Sequence, residues 1–490
     1  MFANAKPRPK LTRRNMMSGS LALSAYMCTP FSAEAMALEG FSKTVAEKAR
    51  KLADGRPVEL RFLIPDGSQD NVAPVMAAFT EQTGVQIKPE RIALEDINTH
   101  LILNSFAGDA PYDVALPATF GMPDLVDAGV LRPLGDFARI HEPDELRSGI
   151  LYDVGDGYDD EIYGFQTDGD TYLMFYNSDL LNDSELRNRY ADQTGKMLGI
   201  PDTWQELDRQ LAFFHRPDQG VYGGALFRIS GYLAWEWWVR FHAKGIWPFS
   251  LEMEPQIASD QGVEALTEMI EATQYLVPEA HTQGLFQNWE RFGRGDVYCN
   301  IGWGGTQKYL NGASSNVRGK LAYGPTPGGI VNGEILKTPY FNWGWDYVVT
   351  QKSQEPEISY LFALFASSPD ISVSAIRPQG GYFDPYRVEH YADPEIRRVY
   401  SDEFLSVHRE SLLSSIPDLY LANQSEYFSV LNSWLDAALN QEITPREALK
   451  QVEREWSLIT IRADGASQRK RWAGLRERYP PNARRLLRDL

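Results

Sequence analysis

The sequence predicts an α/β fold, because its first folded stretch alternates strand and helix. The run VELRFLIPDGS at 58–68 has the apolar character of a buried strand and ends at a Pro-Asp-Gly turn. A helix is predicted at 71–85, closed by Gly84, and VQIKPERI follows directly as a second strand. A strand–helix–strand unit of this kind implies a parallel sheet.

Later segments continue the same alternation. DVALPATF at 113–120 predicts a short buried strand with a loop at its carboxyl end, and Gly129 closes the helix that follows it. Apolar residues at helical spacing predict helices at 203–214 and 445–459, and residues 342–351 are strand-like. The alternation therefore extends over most of the chain.

The chain length predicts two lobes or domains. A chain of 490 residues, 43% hydrophobic and 23% charged, is globular in composition but too long for one ordinary core. It contains no internal repeat and no long low-complexity linker. Domains joined without a linker often exchange strands, so the boundaries need not be contiguous.

The amino terminus predicts an export signal. A basic stretch precedes a short apolar run, and small residues then offer cleavage after Ala35 or Ala37. Arg13-Arg14 directly before the apolar run indicates a twin-arginine signal, and an ordinary Sec signal is the alternative. The apolar run is too short to span a bilayer, and no later run is longer. We therefore expect residues 1–37 to be removed and the protein to reach the periplasm.

Cysteine usage predicts no intrachain disulfide. Cys28 lies in the leader, and Met27 and Ala25 do not fit the pattern of a lipoprotein signal. Cys299 is then the one cysteine of the mature chain, although the destination is oxidising. We interpret Cys299 as an inert buried thiol.

The charge excludes nucleic acid as a partner, since the net charge is −18. The exception is the carboxyl-terminal tail at 463–490, which ends in a stretch with eight basic and two acidic residues. We expect this tail to dock on the acidic body. A contact with a membrane surface or a partner is the alternative.

The chemistry-bearing motifs of common enzymes are absent from the sequence. It lacks a P-loop, a dinucleotide-binding glycine motif, an H-E-x-x-H pair, a C-x-x-C pair and a G-x-S-x-G elbow. Its seven histidines are scattered, and the acid-rich stretch at 153–161 lacks the register of a calcium loop and favours a solvated turn. We expect no cofactor, no metal and no catalytic residue.

The stretch YGFQTDGDTYLMFYN at 163–177 raises a separate question. Successive side chains of a strand alternate faces, so Asp168, Asp170 and Tyr172 would share one face if a strand began at Asp168. Two carboxylates and a ring on one face at the start of a buried segment indicate a site rather than a core.

Several weak motifs occur in a fixed order along residues 58–460. They are AAFTEQTGVQI, YDVALPATFGMPDLVDAGVLRPL, IYGFQTDGDTYLMFYNSDLL, PDTWQEL, RGDVYCNIGW, GKLAYGPTPGG, WGWDYVVTQKS with FALFASSPD, and TPREALKQV. In order and spacing the sequence resembles the extracellular solute-binding proteins of sugar ABC importers, the class that includes maltose-binding protein.

The resemblance implies a two-lobed periplasmic-binding-protein fold, with crossing hinge strands and a ligand cleft between the lobes. Lobe 1 would comprise 58–167 and 328–375, and lobe 2 would comprise 168–327 and 376–462. It also implies a monomer that binds a carbohydrate or polyol and delivers this small solute to permease subunits in the inner membrane.

The resemblance also implies ligand contacts at the cleft floor and at strand ends. Asp168 and Asp170 would lie at the hinge, where a carboxylate can accept hydroxyl hydrogen bonds, and Tyr172 would add a ring contact. Other positions that match the family in this way are Asp66, Thr119, Phe120, Trp303 and Tyr427.

A further group has no close family match but contains aromatic side chains near an acid. It comprises Trp343, Trp345 and Asp346, and Trp235, Trp237 and Trp238 form a similar cluster for which core packing is the alternative. Sugars present C–H faces to rings and hydroxyls to fixed polar groups, so such residues suit a sugar site.

Two other functions stay open at this level. Aromatic rings beside acids also bind cations, so the same fold could take a polyamine or a betaine. An exported glycosidase with paired acids is the other alternative, because its two carboxylates need only be close in space.

Overall fold

The structure, a computed structural model, describes residue 38 and the ranges 40–107 and 111–490. The predicted leader at 1–37 lies outside the described residues. Among the helices of the described ranges, none is both long enough and apolar enough to cross a membrane.

Short strands are distributed along the chain from residue 59 to residue 349. In chain order they are β1 (Glu59–Pro65), β2 (Gln86–Ile92), β3 (Val114–Ala115), β4 (Gly157–Tyr158), β5 (Glu161–Ile162), β6 (Gly164–Gln166), β7 (Leu173–Asn177), β8 (Tyr222–Ala225), β9 (Val297–Gly302), β10 (Leu321–Pro325), β11 (Gly329–Val331), β12 (Glu334–Leu336) and β13 (Asp346–Val349).

Helices connect the strands and form most of the carboxyl-terminal third. In chain order they are α1 (Phe41–Ala53), α2 (Gln69–Thr83), α3 (Ile97–Ala107), α4 (Met122–Asp127), α5 (Gly135–His141), α6 (Ser178–Asn182), α7 (Ser184–Thr194), α8 (Trp204–Phe214), α9 (Leu233–His242), α10 (Asp260–Thr273), α11 (Leu285–Gly293), α12 (Gly304–Leu310), α13 (Pro356–Ala366), α14 (Pro369–Ile376), α15 (Val388–Ala392), α16 (Pro394–Tyr400), α17 (Asp402–Leu413), α18 (Gln424–Leu439), α19 (Pro445–Arg462), α20 (Gly465–Arg478) and α21 (Pro481–Leu486).

The strands form two main sheets, which define the two lobes. The first has the order β2-β1-β3-β13-β6, with β1 parallel to β2 and β3, and with β13 antiparallel to its neighbours. The second has the order β10-β7-β9-β8, in which only β8 and β9 run parallel. The α/β prediction is confirmed, including the early strand–helix–strand unit.

Each sheet packs against its own helices and builds its own aromatic core. In lobe 1, Phe62 of β1 packs edge-on against Phe362 of α13, and Phe79 of α2 does the same. In lobe 2, the rings of Phe214 and Tyr298 stack with centroids 4.0 Å apart. Offset and edge-to-face ring pairs of this kind stabilise cores beyond the area that they bury.

Two chain segments, at 167–172 and 337–345, cross between the sheets and run alongside each other. The amide of Thr167 donates to the carbonyl of Trp345 at 2.9 Å, and the amide of Tyr172 donates to that of Tyr340 at 2.8 Å. The segment at 167–172 is irregular, because β7 begins only at Leu173. The sequence analysis considered a strand that begins at Asp168. In the structure Asp168 does not begin a strand, and it lies instead in a crossing segment of the hinge.

The helices predicted away from the hinge match those of the structure closely. The expected helices at 203–214 and 445–459 are α8 and α19, and the expected helix at 71–85 is α2. The expected strands at 113–120 and 342–351 are shorter in the structure, as β3 and β13. Both segments continue into the hinge, where they pair through an isolated bridge between Ala118 and Trp345 instead of through a regular strand.

The basic tail folds as two helices on the body, in agreement with the docking prediction. Trp472 of α20 is fully buried, and its indole nitrogen donates to the carbonyl of Phe249 at 3.2 Å. The backbone of Arg488 bonds to Gly245 and Trp247, so the chain end adds to lobe 2.

Candidate ligand cleft

A small cavity lies beside the crossing segments, and we call it the inner cavity. Most of its lining is aromatic, and Asp170 is the one ionisable carboxylic acid in it among the described residues. Its lining comprises Leu94, Asp170, Leu285, Trp289, Trp303, Gly305, Trp343, Trp345 and Tyr382.

A larger cavity lies next to the inner one, and we call it the outer cavity. The two cavities share Trp343 in their linings, and residues of both lobes line each of them, so both lie in the cleft between the lobes. Small polar side chains are common in the outer part. Its lining comprises Glu95, Phe120, Gly121, Ser230, Gly231, Tyr232, Trp235, Trp343, Asp418, Gln424, Ser425, Phe428, Ser429, Asn432 and Ser433.

Rings from both lobes meet around Trp343. Its centroid lies 5.1 Å from that of Trp235, 5.4 Å from Trp303 and 5.7 Å from Phe120. These contacts are mostly tilted or edge-to-face, the arrangements that ring quadrupoles favour. The rings therefore hold each other in fixed orientations, and they present a rigid apolar surface to the cleft.

The position of Trp303 is set by a hydrogen bond and by two glycines. Its indole nitrogen donates to the Oδ1 atom of Asn342 in the second crossing segment at 2.9 Å. A Cβ atom on Gly304 would lie 2.3 Å from Asp384, and one on Gly305 would lie 2.7 Å from Tyr382. The glycines are needed there because the chain at 382–384 packs directly against the start of α12.

Three buried carboxylic acids meet under the inner cavity. One oxygen of each of Asp168, Asp170 and Asp384 lies within 4.8 Å of one oxygen of each of the others. Gly169 permits this approach, because a Cβ atom at that position would lie 2.2 Å from the carbonyl oxygen of Pro385. The crossing segment thus presses against the loop that carries Asp384.

Protein donors already hold two of these three acids. The amide of Asp384 donates to Oδ1 of Asp168 at 2.7 Å, and the amide of Gly304 donates to Oδ2 of Asp384 at 2.6 Å. The Tyr400 hydroxyl donates to the other oxygen of Asp384 at 2.9 Å. Carboxylate oxygens suit a hard cation, but three of these oxygens are engaged by the protein. Asp170 is the member that faces the cavity.

Burial shifts the pKa values of Asp170 and of the neighbouring Lys308. It raises the pKa of Asp170 well above its ordinary value, and the nearby charges of Asp168 and Asp384 raise it further. Burial has the opposite effect on a cation and lowers the pKa of Lys308 to about 8, although the nearby charges of Asp384 and Asp168 act to raise that pKa. The Lys308 ammonium donates to two backbone carbonyls at 2.8 and 3.1 Å. The cleft floor therefore favours a protonated carboxyl group at Asp170 when no ligand neutralises it.

Contacts across the cleft mouth join the two lobes. The Tyr232 hydroxyl donates to Glu95 at 3.2 Å, and the amide of Gly121 donates to the Gln424 side-chain oxygen at 2.9 Å. The amide of Ser425 donates to Asp124 of α4 at 2.9 Å. The lobes are thus in contact on the side of the mouth formed by the start of α18.

Asp418 supports this same part of the outer cavity. Burial raises its pKa to about 7, against hydrogen bonds from the Tyr340 hydroxyl, the amide of Leu419 and the Gln424 side chain. The side chain of Gln424 thus links two groups: its nitrogen donates to Asp418, and its oxygen accepts from the amide of Gly121 in lobe 1.

Five of the residues singled out in the sequence line the cleft. They are Phe120, Asp170, Trp303, Trp343 and Trp345. Three others lie directly behind that lining. The ring of Tyr172 packs 4.9 Å from that of Trp303, Asp168 bonds to the loop of Asp384, and the Thr119 hydroxyl accepts a bond from the amide of Gly344 at 3.1 Å.

The remaining three lie outside both cavities. Asp66 is exposed and accepts a bond from the Gln69 side chain at 3.0 Å. Asp346 is fully buried on the other side of the hinge, where burial raises its pKa to about 7 against the pull of Arg147. Tyr427 is fully buried, and its hydroxyl meets that of Thr460 at 2.6 Å.

Several cleft residues were not singled out from the sequence. Trp289 and Tyr382 sit on elements that become neighbours of Trp303 only in the folded chain, and Asp384 meets Asp168 across more than two hundred residues. Trp235 was recognised only as part of a tryptophan cluster, and Trp237 and Trp238 of that cluster are fully buried core residues.

This architecture defines a class of protein: two lobes, crossing segments between them and a cleft lined by both are the design of a solute-binding protein. The family model of bacterial extracellular solute-binding proteins matches residues 75–398, and the chain belongs to that family. Proteins of this class bind small-molecule solutes for ABC importers, and this chain is a solute-binding protein of that class.

Individual relatives are distant. The chain is 23% identical over 398 residues to the probable amino-acid ABC transporter periplasmic-binding protein y4oP of Sinorhizobium fredii, covering 79% of this chain and 84% of the relative. Two solved structures have a similar fold at 18% identity, each covering 82% of this chain and 100% of the other. They are the maltose-bound MalE3 of T. maritima, with a TM-score of 0.68, and a ribitol-bound solute-binding protein of Agrobacterium radiobacter, with a TM-score of 0.69.

Proposed function

We propose that the protein binds a neutral carbohydrate or polyol in the cleft and delivers it to the inner-membrane permease of an ABC importer. The site would comprise the residues that line the inner cavity together with the polar wall of the outer one. Closure of the two lobes about the crossing segments would enclose the solute, as hinge motion does around other ligands.

The observation that carries the proposal is the pairing of flat apolar surface with unpaired polar atoms in the walls of the inner cavity. The indole N–H groups of Trp289 and Trp343 are buried without a protein partner among the described residues, and both rings line that cavity. A hydroxyl can accept a hydrogen bond from an indole and donate one to the Asp170 carboxyl group. The C–H face of the same solute would pack on the rings of Trp303 and Trp345.

The charge of the lining supports a solute without acidic groups. Over the described residues, neither cavity has a lysine or an arginine in its lining, whereas Glu95, Asp170 and Asp418 all belong to it. A free amino acid or a phosphate would lack a cationic partner for its anionic group. The solved relatives that bind ribitol and maltose are consistent with a polyhydroxylated solute, although their identity to this chain is low.

A cationic solute is the second candidate, and one observation favours it. Asp170 is the only acid among the described residues of a cavity whose other walls are mostly rings, which is an arrangement that also suits an ammonium group. An ammonium group donates hydrogen bonds but accepts none, so it would leave the two indole N–H groups unpaired. The neutral solute is therefore the better match.

We further propose that the protein has no catalytic activity. Inverting and retaining glycosidases need two carboxyl groups on opposite sides of the scissile bond. Here Asp168 and Asp384 lie behind Asp170 and are bonded to the protein, so among the described residues only one carboxyl group faces the inner cavity. The acids of the outer cavity, Glu95 and Asp418, each accept a hydrogen bond from a protein side chain. Export to the periplasm, through the predicted leader, and a monomeric state complete the proposal.

A thermal-shift screen tests the ligand class. Residues 38–490 would be heated with neutral sugars, polyols, polyamines and betaines, each at 0.05 and 0.5 M NaCl. A ligand that binds only the folded state raises the melting temperature. We expect a shift with a sugar or polyol that is the same at both salt concentrations. A shift that occurs only with an amine and shrinks at high salt would replace this proposal with the second candidate.

A further inference from the structure

The carboxyl-terminal tail spans both lobes at a place where the family match, residues 75–398, does not extend. Helix α20 is anchored on lobe 2 through Trp472, whose ring packs edge-on against those of Trp247 and Phe249. Tyr479 closes the same cluster, with its ring 4.8 Å from that of Trp247. The helix is therefore a fixed part of lobe 2.

From this anchor, basic side chains of α20 reach lobe 1. The guanidinium of Arg471 donates two hydrogen bonds to Asp159, at 2.9 and 2.7 Å, and lies 4.9 Å from the ring centre of Tyr158. Arg478 pairs with Asp153, and Lys470 lies 3.8 Å from Asp160. The acid-rich stretch at 153–161, which was expected to be a solvated turn, is thus the partner of the basic tail.

The acidic stretch belongs to lobe 1. The amide of Tyr163 donates to the carbonyl of Asp156, and the chain then enters β6 of the first sheet. The Tyr158 hydroxyl donates to Asp127 of α4 at 3.4 Å. Helix α4 also accepts, through Asp124, the bond from Ser425 at the cleft mouth. The ion pairs of the tail and the mouth of the cleft therefore act on the same helix of lobe 1.

Helix α20 also holds the wall of the outer cavity. The side chain of Gln468 is fully buried, accepts from the amide of Ala422 at 3.2 Å and donates to its carbonyl at 3.0 Å. The same side-chain nitrogen lies 3.3 Å from the Tyr427 hydroxyl. Between these two positions lies Gln424, which lines the cleft and bonds to Gly121 of lobe 1.

We propose that α20 is an electrostatic tie between the lobes, which stabilises the closed arrangement of the cleft through Arg471 and Asp159 and positions the start of α18. The tie and the cleft-mouth bonds occur together in this structure, so both belong to one arrangement of the lobes. This inference concerns regulation of the proposed site, but its test uses the ligand-free protein and does not depend on the identity of the solute.

The pair of Arg471 and Asp159 should dominate the tie. It is bidentate, and the Arg471 side chain is 16% exposed, whereas those of Lys470 and Asp160 are 82% and 92% exposed. Fixed, partly buried pairs are screened less by salt than mobile exposed ones, but all of them weaken as ionic strength rises. The tie therefore predicts an interlobe distance that depends on salt.

The experiment measures the distance between spin labels on the two lobes of residues 38–490. Glu81 of α2 and Asp192 of α7 are exposed and would be replaced by cysteine, while Cys299 is buried and does not label. The distance distribution would be recorded for the parent, for Arg471→Asp and for the double variant Arg471→Asp with Asp159→Arg. The matched control is Arg484→Asp, which breaks a pair with Glu477 inside the tail.

We expect Arg471→Asp to shift the distribution to longer distances and the double variant to restore it. The control should match the parent, and 0.5 M NaCl should move the parent toward Arg471→Asp. A parent-like distribution in Arg471→Asp would overturn the proposal, as would a shift that the double variant fails to restore. Since no solute is present, either result leaves the proposed ligand class untouched.

Discussion

Two groups of buried acids lie on opposite sides of the same hinge, and they differ in access. Asp168, Asp170 and Asp384 lie under an aromatic cavity, and one of them faces it. Asp346 faces the other side, near Arg147, and belongs to the lining of neither cavity. Asp170 and Asp346 both have a raised pKa for the same first reason, which is burial.

The comparison teaches that a perturbed carboxyl group does not by itself mark a binding site. Perturbed pKa values cluster at functional sites, but buried ion pairs of the scaffold produce them as well. Here the difference is contact with the aromatic cleft: Asp170 lines the inner cavity, whereas Asp346 lines neither cavity of the cleft. The predictions below separate the two groups, first by stability and then by binding.

The largest effect should be a pH-dependent gain in stability for Asp346→Asn. The folded pKa of Asp346 is about 7, whereas an unfolded aspartate titrates near 4. Between about pH 4 and pH 7 the folded state therefore binds one proton more than the unfolded state, on Asp346. The stability that this protonation contributes to the parent is fully present below about pH 4 and is lost as the pH rises through 7. Relative to the parent, we expect the variant to gain ~3 kcal/mol between pH 5 and 7.5.

Urea unfolding at both pH values measures this difference. The matched control is Asp66→Asn, which makes the same chemical change at an exposed position. A pH-independent difference for Asp346→Asn would show that this carboxyl group titrates normally in the folded protein.

Trp303→Ala should cause the largest loss of binding. The change removes a ring of the inner cavity and the bond to Asn342, so affinity for the solute found in the screen should fall tenfold or more. The matched control is Trp434→Ala, since Trp434 is half-buried on α18 outside both linings and bonds to Glu455. Calorimetry would compare the two, and equal affinities would exclude Trp303 from the site.

Asp170→Ala and Asp346→Ala compare the two acid groups directly. Loss of a polar partner for a buried hydroxyl costs about 1–3 kcal/mol, so Asp170→Ala should weaken binding roughly tenfold. Asp346→Ala should change affinity less than about twofold, because that side chain lines neither cavity. Calorimetric titrations at pH 7 measure both values, and a reversed order would place the solute on the other side of the hinge.

The smallest effect should come from Tyr427→Phe. The Tyr427 hydroxyl bonds to Thr460 and Gln468 rather than to the cleft, so its loss should cost about 1 kcal/mol of stability. Affinity should change less than about threefold, since the ring stays in place. Thermal unfolding and calorimetry of the same sample check both numbers, and a tenfold loss of affinity would return Tyr427 to the site.

The sequence was sufficient for the α/β fold and for one side of the cleft. Trp303, Trp343 and Trp345 could be found because aromatic residues stand out beside glycines and strand ends, and Asp170 because it alternates with a second acid. These signals are local, so a single sequence contains them.

The rest depends on contacts between distant segments. Asp384 and Tyr382 reach the site only because Gly169, Gly304 and Gly305 allow a separate loop to approach. Asp346 and Tyr427 had the right residue types, but both are buried away from the cleft, Asp346 where β13 pairs with β6 and Tyr427 against Gln468 of α20. Which face of an irregular crossing segment meets the cavity is decided by tertiary packing, and no periodicity in the sequence records it.

The most direct test of the central claim is calorimetric binding of the solute from the screen to the parent and to Asp170→Ala, at 0.05 and 0.5 M NaCl. The account predicts a Kd for the parent that changes less than about twofold with salt and that rises roughly tenfold in the variant at both concentrations. Equal affinity of the parent and Asp170→Ala would contradict the assignment of the inner cavity as the binding site.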